Sequence, residues 1–67
     1  MRITSSNSNK KTNFSGSVVT FYSDDGEFLT RLHFDIYRSL DFAKKNPDSD
    51  IAKKIEKTKA ELTLRGY

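Results

Sequence analysis

Between residues 17 and 34, large apolar side chains fall on alternate positions on either side of Asp24-Asp25-Gly26-Glu27. Alternation of this kind marks a half-buried strand, and Asp-Gly between two such runs is a strong short-range hairpin signal. Asp25-Gly26 at the centre of a two-residue type I′ turn, or a longer loop using all four of Asp24 to Glu27 with the same facing parity, would pair Ser23 with Phe28, Phe21 with Thr30, Val19 with Leu32 and Ser17 with Phe34. One face then carries Val19, Phe21, Phe28, Leu32 and Phe34. The other carries Val18, Tyr22 and Leu29 among Thr20, Arg31, His33, Asp24 and Glu27. A one-residue slip would scatter the apolar set over both faces, so the pattern specifies the register.

A two-stranded hairpin is not stable alone and needs a cover for its apolar face. After Asp35, a candidate N-cap, Ile36, Leu40 and Ala43 stand at helical spacing, and Asn46-Pro47 stops the run because a residue before proline avoids the helical region. As an alternative, Phe34 and Ile36 continue the strand alternation and the helix begins near Ser39. Asp48-Ser49-Asp50 offers N-cap chemistry for a second helix with an apolar stripe of Ile51, Ala52, Ile55 and Leu62. Gly66 sits where a C-cap belongs, with Arg65 in the last turn. The fold class expected is α+β: an antiparallel hairpin, with room for a short third strand, on one or two C-terminal helices. The expected core is Val19, Phe21, Leu32, Phe34, Leu40, Ile51, Ile55 and Leu62.

Residues 1–13 are dominated by Ser, Asn, Thr and Lys, with only Met1 and Ile3 as large apolar content. That composition predicts a flexible polar tail, leaving 14–67 as one small domain. The other reading of the tail is a basic arm of Arg2, Lys10 and Lys11.

Composition narrows the function classes. Hydrophobic residues make up 34% of the 67 positions, so the core is small and must be concentrated in the hairpin and helices. There is no cysteine, which removes disulfides, thiolate nucleophiles and thiolate metal ligands and suits a cytoplasmic location. No apolar run exceeds two residues, which is too short for a membrane span or a signal-peptide core. The short, Lys/Asn/Ser-rich composition is of a kind common in small accessory or regulatory proteins of phages and bacteria.

Catalytic signatures are missing. His33 is the single histidine, and no triad motif or metal-ligand spacing surrounds it along the sequence. The cluster Asp24-Asp25-Gly26-Glu27 lacks the alternating oxygen ligands and distant glutamate of a calcium loop, and turn chemistry accounts for it. Phe14-Ser15-Gly16-Ser17 is not a nucleophile elbow, and Asn13-Phe14-Ser15 is a glycosylation sequon without a secretory leader. The expectation is a non-enzymatic protein with no catalytic, cofactor or metal site.

Two binding surfaces remain. The first is a protein-binding face on the hairpin, made of Val18, Tyr22, Leu29, Arg31 and His33 with the acidic turn Asp24, Asp25 and Glu27 as its rim. The second is a nucleic-acid surface of Lys44, Lys45, Lys53, Lys54 and Lys57. Its lysines are diluted by Asp41, Asp48, Asp50, Glu56 and Glu61, as on an ordinary solvated helix. No aromatic–basic interleaving of the RNA-binding-sheet kind is visible along the sequence. A protein partner is therefore expected first and nucleic acid second, and the open hairpin edges add a homodimer as a further expectation.

Overall fold

The computed structural model describes residues 1–7 and 16–67. Three strands, β1 (Arg2–Asn7), β2 (Ser17–Tyr22) and β3 (Phe28–Phe34), form one antiparallel sheet in the order β1-β2-β3. Two helices, α1 (Ser39–Lys45) and α2 (Asp50–Leu64), follow them in sequence, so the architecture is α+β as expected. The Cα extents are 35 × 28 × 14 Å, the thin dimension of one sheet under one helical layer.

The helices cover a single face of the sheet. Val19, Phe21 and Phe34 from the sheet and Ile55 and Leu62 from α2 are buried together, with Leu32, Leu40 and Ile51 packed around them. All eight expected core residues thus lie in or against the core. Ala52, on the stripe of α2, is buried as well.

Arg2–Asn7, expected as part of a flexible tail, is instead an edge strand paired with β2 along its length. Two physical terms order it. A central β2 would otherwise leave one row of backbone groups without ladder partners, and Ile3 stands opposite Phe21, packing with Met1 against the core. Lys10, Lys11 and the rest of the expected tail lie outside the described residues. Deleting residues 1–7 should therefore destabilise the protein by about 2–4 kcal/mol, from partial burial of two apolar side chains and the lost ladder. At roughly 4–8 °C per kcal/mol for so small a domain, thermal melting should fall by more than about 10 °C, whereas loss of a true tail would leave it unchanged.

The β2–β3 register agrees with expectation at Phe21–Thr30, Val19–Leu32 and Ser17–Phe34, and departs from it near the turn. Gly26 donates to the Ser23 carbonyl (2.9 Å), Ser23 donates to the Glu27 carbonyl (2.9 Å), and Gly26 alone of the turn takes a positive φ, 87°. That is a three-residue loop ending in a left-handed glycine, in place of the two-residue type I′ turn, which needs positive φ at both central positions. The three-residue loop pairs Tyr22 with Phe28 and shifts the register by one; a β-bulge between Phe21 and Tyr22 shifts it back. Two irregularities cancel. Their net effect is to exchange Phe28 and Leu29: Phe28 leaves the core face and Leu29 packs on the core.

Residues 35–38 neither extend β3 nor begin a helix; α1 starts at Ser39, after Arg38 in the left-handed region (φ 54°). A buried pair of serines pins this start to β2. The Ser17 hydroxyl donates to the Ile36 carbonyl (2.8 Å), accepts from the Ser39 N–H (3.1 Å) and lies 2.6 Å from Ser39 Oγ. Ser17→Ala should cost about 1–3 kcal/mol, read by urea denaturation, because the Ile36 carbonyl and the Ser39 N–H lose their buried partner. At α2, Ser49 is the N-cap, its hydroxyl accepting from the Ala52 N–H (3.2 Å). The helix closes with Tyr67 N–H on the Leu62 carbonyl and Gly66 N–H on that of Thr63, both at 3.0 Å, the Schellman pair.

Candidate binding face

With helices on one side only, the other face of the sheet is uncovered. The ladder register arranges its side chains in three rows across the strands. The row nearest the turn is Arg2, Tyr22 and Phe28. The next is Thr4, Thr20 and Arg31. The third is Ser6, Val18 and His33.

The first two rows hold a cluster. The Tyr22 and Phe28 rings meet edge to face, centroids 6.5 Å apart at 77°, a favoured aromatic geometry. The Arg31 guanidinium carbon stands 5.2 Å from the Phe28 centroid, within cation–π range. Phe28 is 51% exposed, more than a core phenylalanine tolerates. Beside Tyr22 a depression of about 260 Å³ is lined by Arg2, Thr4, Tyr22 and Gly26.

The expected partner-binding residues are divided by this geometry. Val18, Tyr22, Arg31 and His33 lie on the uncovered face. Leu29 does not: it is half-buried against the core beside Leu32 and Leu62, because the bulge turns it inward. Phe28 takes its place, and Arg2 joins from β1. Asp24, Asp25 and Glu27 are exposed at the turn, at the end of the first row. Asp24 receives the Met1 ammonium in an ion pair, and that hydrogen bond and charge hold its carboxyl below the ordinary value.

Lys44, Lys45, Lys53, Lys54 and Lys57 are all exposed on the helical layer. They belong to the side of the slab away from the uncovered face, so one flat partner cannot meet both surfaces. Lys44 borders a cleft of about 400 Å³ between the helices and Ile3, with an apolar floor and Glu56 and Lys59 on its rim.

The aromatic–basic grouping eluded sequence reading because its members come from three strands and two turn irregularities place them. No group of three or more His, Asp or Glu among the described residues could hold a metal ion. No helix among them is long and apolar enough to cross a membrane. No protein-family model matches the chain, and neither a curated protein nor a solved structure does.

Proposed function

We propose that the protein is a non-enzymatic binding protein of the cytoplasm that works by laying its uncovered sheet face on a larger macromolecule. The observation that carries this reading is the cluster of half-buried Tyr22 with exposed Phe28 and Arg31 on the uncovered face. Scattered exposed apolar residues need no explanation. Two adjacent rings with an arginine seated over one of them form a contact surface whose geometry is already set, so binding spends little side-chain entropy. Tyr and Arg are also the residue types that dominate binding hot spots.

The sequence placed a protein partner ahead of a nucleic acid, and put the nucleic acid on the lysines of the helical layer. Either partner is compatible with the sheet face as working surface; the lysine surface is the competing location. Affinity capture from cells that express the protein separates the two locations. The bound partner should be lost with Tyr22→Ala combined with Phe28→Ala and retained when Lys53, Lys54 and Lys57 are all changed to Ala. The reverse outcome would overturn the sheet-face reading. Leu29→Ala is unsuitable as a probe of this face, since it acts through the core.

A further inference from the structure

We infer that the occupant of the uncovered face is a single-stranded nucleic acid, with bases stacked on the Tyr22–Phe28–Arg31 cluster and phosphates on Arg2 and Arg31. This inference rests on the sheet face being the working surface.

Charge is the first argument. Within the three rows the only formally charged side chains are Arg2 and Arg31, and no strand position on that face is acidic. The carboxylates of Asp24, Asp25 and Glu27 are confined to the turn, and Asp24 is already paired with the Met1 ammonium. A strand crossing the rows therefore meets cations and hydroxyls, the groups that bind phosphate and sugar.

Ring arrangement is the second. Single strands are held without hydrogen-bond readout by aromatic faces beside a basic track, and bases stack equally on guanidinium planes. Arg31 over the Phe28 ring presents such a plane, and Arg2 stands across from Tyr22 on β1 at the rim of the depression beside it. The face thus carries one aromatic–basic pair across β1 and β2, Arg2 with Tyr22, and one along β3, Phe28 with Arg31.

Size is the third. Three strands about 4.8 Å apart and six residues long at about 3.4 Å each give a face of roughly 15 by 20 Å. The projected area is about 300 Å². It is ample for a few nucleotides, the scale on which small sheet platforms bind. Val18 is the only aliphatic residue in the three rows, so the apolar surface of this face is mostly the two rings, the kind of surface on which bases stack. Duplex is disfavoured because its bases are already stacked and offer the rings no face.

The test is a fluorescence-anisotropy titration of the full chain against three labelled probes of equal length: oligodeoxythymidine, oligouridine and a DNA duplex. Both single strands should bind more tightly than the duplex at low salt. Phe28→Ala should weaken single-strand binding about tenfold or more, the scale of one lost stack, and Phe28→Tyr should restore it. Arg31→Gln should flatten the slope of log affinity against log salt by about 0.7, one phosphate contact. Phe28 is half-exposed, and an unchanged circular dichroism spectrum with a melting temperature lowered by only about 4–8 °C would separate lost binding from lost folding. Binding to none of the probes, or binding indifferent to Phe28→Ala, overturns the inference. If no probe binds while cellular capture still depends on Tyr22 and Phe28, the nucleic-acid assignment fails and the sheet-face reading stands. If the probes bind and release only on Lys53→Ala, Lys54→Ala and Lys57→Ala together, both fail.

Discussion

Phe21→Ala should leave a chain that no longer folds cooperatively at room temperature. Phe21 is fully buried near the turn end of β2, with Ile3 and Thr30 opposite it on the flanking strands and the helical layer above. Truncating a buried phenylalanine costs about 3–5 kcal/mol, the lost transfer energy plus the cavity left behind. A single core in a domain of this size rarely supplies more than about 3–5 kcal/mol in total. The loss equals the whole, with no disulfide to retain the chain. Phe28→Ala is the matched control: same residue type, the paired strand, but on the uncovered face. Its cost should stay near ~1 kcal/mol, from the ring pair and the cation–π contact. Urea denaturation of both variants reads the difference. A Phe28→Ala variant as damaged as Phe21→Ala would mean that the hairpin runs without its bulge, with Phe28 in the core.

That control also marks how far the sequence could be read. Pairings away from the turn were legible because β-branched and aromatic residues alternate with polar ones on both strands, so that only one register keeps a greasy face. The turn end was not. Phe28 and Leu29 are both large and apolar, and alternation cannot say which of two adjacent apolar residues faces inward. The answer depends on a three-residue loop and a compensating bulge, each of which trades one backbone arrangement for another of similar energy. The strand Arg2–Asn7 was illegible for a different reason. Its sequence, Arg-Ile-Thr-Ser-Ser-Asn, has one large apolar residue, and its order comes from the backbone groups of β2 and from Phe21 across the ladder. Helix α2 was legible because its caps are local chemistry, Ser49 at one end and Gly66 at the other. The binding face inherits both blind spots: without β1 there is no Arg2, and without the bulge Phe28 and Tyr22 are on opposite sides of the sheet.

Gly16→Ala should be as damaging as the loss of Phe21, although it adds only one methyl group. Gly16 enters β2 at φ 155°, a backbone conformation that L side chains rarely adopt. A Cβ there would stand 1.8 Å from the Phe34 carbonyl oxygen and 2.9 Å from both the Phe34 carbonyl carbon and Asp35 Cα. Every one of these atoms is backbone, so no side chain can swing away to make room. The clash must be relieved by moving the end of β3 or the start of β2. Moving β3 draws the buried Phe34 out of the core; moving β2 pulls Ser17 from the Ile36 carbonyl and from Ser39, which anchor α1. Backbone strain of about 1–3 kcal/mol and overpacking of about 1–3 kcal/mol then add to whichever of those losses the chain accepts. Gly26→Ala isolates the conformational part. Gly26 also has positive φ, 87°, but its Cβ would meet nothing within 4 Å. Its cost should therefore be only the left-handed penalty, about 1–2 kcal/mol. Thermal melts of the two variants should rank Gly16→Ala far below Gly26→Ala. Equal melting temperatures would mean that β2 and the end of β3 do not approach as closely as this packing requires, and that α1 is anchored by something other than Ser17.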